Sequence, residues 1–140
     1  MATISLSPEH MRQSSQTQFF YSKEVQAEIG SLLREQGANR VLILYGADIF
    51  RTAHWYKQAR CSLLDAGLHV FELGNIEYQA EVNQIESGIA LCKQLQVDYI
   101  LAVGGGSVID AAKAIAVGAM CDHCIWEYFA ADKKPGRALP

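Results

Sequence analysis

A run of three glycines and a serine, Gly104 to Ser107, stands between an apolar segment and a helical pattern. The first turn of a helix leaves backbone N–H groups without intrahelical acceptors, and the helix dipole adds partial positive charge there. Glycines place no side chain in the way, so a phosphate group can approach these N–H groups closely. The run therefore predicts an anion site, in which Ser107 either caps the helix or donates its hydroxyl to a phosphate oxygen.

The same run also has a purely structural interpretation. Ser107 and Asp110 have the spacing of a capping box, in which the Asp110 carboxylate accepts a hydrogen bond from the N–H of the cap residue. A tight turn before a well-capped helix would need no ligand. The common dinucleotide fingerprint also has a third glycine where this chain has Ile109, and it follows the first strand rather than a late one. An ordinary Rossmann dehydrogenase therefore fits poorly.

Cysteine and histidine side chains are the other candidates for chemistry. Cys121 and Cys124 form a CxxC pair around His123, a pattern found in zinc and redox sites. A structural zinc ion needs four ligands, and the chain offers no second pair at a suitable spacing. We therefore expect small side chains near a helix end, without metal. The other histidines are scattered and are expected on the surface or in loops: His10, His54 and His69.

Apolar runs alternate with helical periodicities along the chain. The runs Val41–Tyr45, Leu68–Leu73 and Tyr99–Val103 predict strands, of which the first and third are typical of burial on both faces. A further strand is predicted at Gln18–Tyr21, and a glycine follows each of the first two helical segments, at Gly37 and Gly67.

This alternation predicts an α/β fold with a doubly wound, Rossmann-like parallel sheet. Ligands bind such sheets at the carboxyl ends of the strands. That edge carries Gly46 and Ala47, then Gly74 and Asn75, then the Gly104–Ser107 run.

Length and composition are those of one compact domain. The chain has 140 residues, half of them hydrophobic and 19% charged, with a net charge of −3. No basic cluster indicates a nucleic-acid partner, and no apolar stretch has the length or flanks of a membrane span or signal peptide, so a cytoplasmic location is expected. We divide the chain into an irregular lead-in (1–17), an α/β domain (18–131) and a connector (132–140).

The segment Asp98–Ala116 resembles the motif DxIxAVGGGSxxDxAKxIA, which is typical of the iron-containing alcohol dehydrogenase family, and matches it at every fixed position. Weaker agreement at 40–45, 74–77 and 126–129 extends the resemblance over residues 19–140. The chain departs from the family at Tyr78–Ala80, where Pro-Asn is usual, and at Phe20–Lys23, where a glycine-containing turn is usual.

The resemblance implies a dinucleotide-binding domain, NADP or NAD as cofactor, and a small alcohol or aldehyde as substrate. In the family a second, all-helical domain carries a divalent metal, iron or zinc, on one Asp and three His. This chain matches none of those positions, so we expect no catalytic or metal residue in it and no turnover by it alone. A stand-alone nucleotide-binding or interaction module is the alternative. The family also tends to pair N-terminal strands between subunits, which predicts self-association through Gln18–Tyr21.

The cofactor residues carried over from the resemblance lie in two turns. The family's GGGS loop holds the pyrophosphate and its Asp lies close to the cofactor, whereas Lys113 is equally well a surface lysine. The acid that in the family contacts the ribose of NAD is replaced by Gly46, as in the butanol-dehydrogenase-like, NADP-using branch that the chain resembles most. Asp48 could restore repulsion of the 2′-phosphate or cap the next helix. The predicted cofactor-binding residues are Gly46, Asp48, Gly104, Gly105, Gly106, Ser107 and Asp110.

Overall fold

The computed structural model describes residues 2–3, 20–21, 24–46, 53–76, 81–122, 124–130 and 136–140. Among them the strands are β1 (Ala2–Thr3), β2 (Phe20–Tyr21), β3 (Arg40–Gly46), β4 (His69–Ile76) and β5 (Tyr99–Val103). The helices are α1 (Val25–Glu35), α2 (Ala53–Asp65), α3 (Val82–Gln94), α4 (Gly106–Ala119) and α5 (Trp126–Ala130).

The central sheet of the described residues has three parallel strands in the order β4-β3-β5. β3, the first of these three strands in chain order, lies in the middle, and β4 and β5 add on opposite sides of it, so the sheet is wound in both directions. The predicted α/β fold is therefore confirmed. The predicted strand near Gln18 is present at Phe20–Tyr21, but it pairs antiparallel with Ala2–Thr3 in a separate ribbon.

Helices cover both faces of this sheet, and side chains alternate between them along β3. One face buries Val41 and Ile43 against α1 and α2, including Leu63. The other face buries Leu42 and Leu44 against α3 and α4, with a cluster that includes Cys92, Val108, Ala111 and Ile115. Burial on both faces explains why the sequence of β3 is a continuous apolar run rather than an alternating one.

Three helices end in the same way at the amino edge of the sheet. The residue after each C-cap has a positive φ, at Gly37 (90°), Gly67 (76°) and Gln96 (51°). Each end carries the paired hydrogen bonds of a Schellman motif, as in Gly37 N–H to Arg34 O and Ala38 N–H to Leu33 O. The two glycine stops predicted from the sequence are confirmed.

The last two residues of the chain are hydrogen-bonded to β5 and α4. The Ile100 N–H donates to the Pro140 carbonyl at 2.9 Å, and the Leu139 N–H donates to the Ala116 carbonyl at 3.1 Å. Leu139 also packs against the core on the α3/α4 face. The end of the segment predicted as a connector is therefore hydrogen-bonded to the domain.

Candidate cofactor site

The carboxyl ends of β3 and β5 form the centre of the candidate site. The chain leaves β3 towards α2 on one face and leaves β5 towards α4 on the other. Neighbouring strands whose connections diverge in this way leave a crevice between them, and ligands of doubly wound sheets bind in that crevice. Gly46 and the Gly104–Ser107 run both border it, as predicted.

The two turns lie close together. A Cβ placed on Gly46 would lie 3.4 Å from the Val108 Cγ2 atom of α4 and 3.5 Å from the Ile76 carbonyl oxygen of β4. These are ordinary van der Waals distances, so the protein itself would tolerate an alanine here. A longer side chain at this position would lie close to Val108, in the first turn of α4. Asp48, the other predicted residue of this turn, lies outside the described residues.

The three glycines of the run differ in what requires them. Gly104 has a φ of 156°, and a Cβ there would lie 2.8 Å from Val108 Cγ2. Gly105 has an ordinary extended backbone, and a Cβ on Gly105 or Gly106 would meet nothing within 4 Å. Turn geometry therefore accounts for Gly104 alone. The other two leave exposed backbone in open space, which is the form of a surface that a phosphate can approach.

The predicted capping box is wrong. Helix α4 begins at Gly106, its N-cap is Gly105, and no side chain hydrogen-bonds to the cap. Ser107 is already the second helical residue, because the helix starts earlier than the box requires. Asp110 is exposed, and its carboxylate lies 3.5 Å from the Lys113 Nζ atom. The start of α4 therefore keeps its positive end without a side-chain acceptor at the cap.

The end of β4 completes this edge, where the sequence places Gly74 and Asn75, but the bulge in it was not predicted. Leu44 pairs with Leu73 but Gly46 pairs with Ile76, so β4 contains one extra residue. Such a β-bulge bends a strand and redirects its end. Asn75 lies in it with a φ of 58°. The Tyr45 ring fills the position that a Cβ on Gly74 would occupy. The sequence placed Gly74 and Asn75 at this edge, but in a loop rather than in a strand.

A small polar cluster lies behind this bulge on the α2 side. The Tyr45 and Tyr56 rings meet edge to face, 5.2 Å apart. Arg60 Nε donates to the Glu72 carboxylate at 2.6 Å. Burial, with the negative charge of Glu72 nearby, raises the pKa of the Tyr56 hydroxyl well above its usual value. This phenol therefore stays neutral, and it supports the end of β3 rather than supplying a charge.

The described residues hold no group of three or more His, Cys, Asp or Glu side chains that could bind a metal ion. His54 and His69 are exposed, as expected, whereas His10 and His123 lie outside the described residues. Cys121 is buried with its Sγ 3.0 Å from the Val117 carbonyl, and Cys124 is exposed as a free thiol. No described helix is long and apolar enough to cross a membrane.

Comparison with known proteins gives an independent view of this arrangement. The family model for iron-containing alcohol dehydrogenases matches residues 16–140. A probable NADH-dependent butanol dehydrogenase of Bacillus subtilis is 41% identical over 108 residues, which cover 77% of this chain and 28% of that protein. An NADPH-dependent aldehyde reductase of Escherichia coli is 38% identical over 91 residues, 62% of this chain and 22% of that protein.

Comparison with solved structures identifies the same kind of relative. The NADH-dependent butanol dehydrogenase A of Thermotoga maritima superposes with a TM-score of 0.79 at 28% identity. The match covers 87% of this chain and 33% of that protein, so the chain spans about a third of the length of these relatives.

Proposed function

The chain belongs to the iron-containing alcohol dehydrogenase family, and we propose that it binds a nicotinamide dinucleotide in the crevice between β3 and β5. It would form the cofactor-binding portion of a metal-dependent oxidoreductase that acts on a small alcohol or aldehyde. The butanol dehydrogenase and aldehyde reductase among its relatives support this substrate class. Self-association through β2 remains a prediction.

The observation that carries the proposal is the open backbone at Gly105 and Gly106. Neither residue needs to be glycine for its own conformation or for packing, since a Cβ would meet nothing there. Both stand at the positive end of the fourteen-residue helix α4. A pyrophosphate seated on these residues would accept hydrogen bonds from backbone N–H groups and would explain why side chains are absent.

The residues of this chain would bind and orient the cofactor. Gly105, Gly106 and Ser107 would hold the pyrophosphate, and Gly46 would leave space beside the ribose. When bound, the reduced dinucleotide would donate a hydride to the carbonyl carbon of an aldehyde, and the oxidised form would accept one from the corresponding carbon of an alcohol. The described residues include no group of side chains that could bind the metal ion. We therefore assign them to cofactor binding and assign them no role at the substrate oxygen.

Calorimetric titration of the chain with NADP and with NAD tests the proposal. Gly105→Val should weaken binding at least tenfold, because its branched side chain would occupy the space assigned to the pyrophosphate. Gly136→Val is the matched control, since a Cβ on this exposed glycine also meets nothing within 4 Å. The proposal is wrong if wild type binds neither dinucleotide, or if the two variants bind alike while both remain folded.

We further propose that NADP binds more tightly than NAD. Gly46 places no carboxylate beside the ribose, where an acid would repel the 2′-phosphate of NADP. The names of the relatives point both ways, since the butanol dehydrogenase is called NADH-dependent and the aldehyde reductase NADPH-dependent. The same titrations compare the two dissociation constants directly, and a lower constant for NAD would overturn this preference.

A further inference from the structure

Two residues other than glycine have a positive φ in the described part of the chain, Asn75 and Gln96. Gln96 is explained by its position, because it follows the C-cap of α3 and closes a Schellman motif with Val97 N–H to Cys92 O. Asn75 terminates no helix. It lies inside β4, three residues beyond Glu72, and its left-handed conformation needs another explanation.

Three contacts hold the bulge that contains Asn75. The Gln84 side-chain amide donates to the Asn75 carbonyl at 2.7 Å. The Tyr45 ring lies against the bare backbone of Gly74, on one side of Asn75, and Ile76, on the other side, pairs with Gly46. The bulge is therefore fixed from both neighbouring elements. Backbone conformations of this kind persist where the surroundings determine them, and they concentrate at functional sites.

The position of Asn75 relative to the proposed pyrophosphate site indicates what it would contact. A dinucleotide whose pyrophosphate lies at the start of α4 extends its adenosine ribose across the end of the neighbouring strand. That strand is β3, and its last residue, Gly46, has no side chain. Asn75, one residue before Ile76, is exposed at the end of the next strand, β4.

We propose that Asn75 is a specificity-determining residue of the cofactor site, whose carboxamide contacts the adenosine ribose end of the dinucleotide. This inference rests on the proposed function. A carboxamide is neutral and can both donate and accept hydrogen bonds, so it is compatible with a ribose hydroxyl and with a 2′-phosphate. A carboxylate at the same position can accept from the hydroxyl but repels the phosphate.

Asn75→Asp tests this assignment, because aspartate also tolerates the left-handed conformation. It should weaken NADP binding about tenfold or more and NAD binding no more than about threefold, as expected for one like-charge contact. Gln96→Asp is the matched control: it adds the same charge at the same backbone conformation, but at the amino edge of the sheet. It should leave the affinities for both dinucleotides within about twofold of wild type, because a charge at the opposite edge of the sheet is largely screened in physiological salt.

Asn75→Gly keeps the backbone conformation and removes the carboxamide. It should weaken both dinucleotides about threefold, the loss expected for one hydrogen bond. The assignment is overturned if Asn75→Asp discriminates no more than Gln96→Asp, or if Asn75→Gly binds as wild type does. Failure of the proposed function looks different, because wild type would then bind neither dinucleotide.

Discussion

The two edges of the central sheet differ in how side chains satisfy their backbone groups. At the amino edge, the Asp98 carboxylate accepts the N–H groups of Asn39 at 3.0 Å and Arg40 at 2.9 Å. The Arg40 side chain in turn donates to the Leu95 carbonyl and lies over the Phe71 ring. At the carboxyl edge, glycines border the crevice, and the helix that starts there has no side-chain cap.

This difference suggests that the amino edge contributes mainly to stability and the carboxyl edge mainly to ligand binding. The N–H groups of Asn39 and Arg40 at the amino edge are satisfied by Asp98, so they are not available to a ligand, and loss of these hydrogen bonds should destabilise the fold. Gly105 and Gly106 stand at the positive end of α4, where the cap makes no side-chain hydrogen bond, and this potential favours an anion. Changes at the amino edge should therefore alter unfolding, and changes at Gly105 and Gly106 should alter binding.

The largest effect on stability is expected from Asp98→Ala. The substitution leaves two N–H groups without their acceptor, and hydrogen bonds to a charged group are among the stronger ones. We expect the free energy of unfolding to fall by roughly 2–3 kcal/mol, measured by urea titration, with dinucleotide affinity unchanged in the folded protein. Asp110→Ala removes an exposed aspartate whose ion pair with Lys113 is long, and should change stability by less than about 0.5 kcal/mol. Equal effects of the two substitutions would contradict the assignment of the amino edge.

A smaller pair of effects, opposite in sign, is expected within the glycine run. Gly104→Ala places a Cβ 2.8 Å from Val108 Cγ2 at a strained φ, and should destabilise the fold by about 1–3 kcal/mol. Gly106→Ala places a Cβ in open space at the first helical residue, and should stabilise the fold by up to about 1 kcal/mol. Because that Cβ would also enter the proposed pyrophosphate site, the stabilised variant should bind the dinucleotide more weakly. Unfolding curves and titrations of both variants would show whether the signs differ, and a Gly106→Ala protein that binds as wild type would count against the site.

Much of the fold follows from local signals. The apolar runs of β3 and β5 and the glycines at Gly37 and Gly67 have strong local causes, and the structure confirms them. The partner of β2 was not predictable, because two-residue strands carry almost no periodicity and their pairing depends on distant residues. The extension of β4 to Ile76 was missed for a related reason. Gly74 and Asn75 are typical turn residues, and they are held in a strand by tertiary contacts: the Tyr45 ring, the Gln84 amide and the pairing of Ile76 with Gly46.

The positions of the glycine turns of the candidate site were predicted from the sequence, but the cap of α4 was not. The Gly104–Ser107 run and Gly46 stand together at the edge that a parallel sheet requires. The capping box failed because the sequence does not fix where α4 begins, and a shift of two residues moves Ser107 from the cap into the helix. Asn75 was placed at this edge but not among the cofactor-binding residues; a further signal was that asparagine, which tolerates a positive φ, follows a glycine at the end of a strand.

Amide chemical shifts recorded during a titration with NADP test the central claim most directly. Isotope-labelled chain gives one backbone signal per residue, so both edges are observed in one experiment. We predict that the amides of Gly105, Gly106 and Ser107 move with a common dissociation constant, whereas those of Asn39 and Arg40, already bonded to Asp98, stay in place. Shifts confined to other residues, or no shifts at millimolar NADP, would contradict the account.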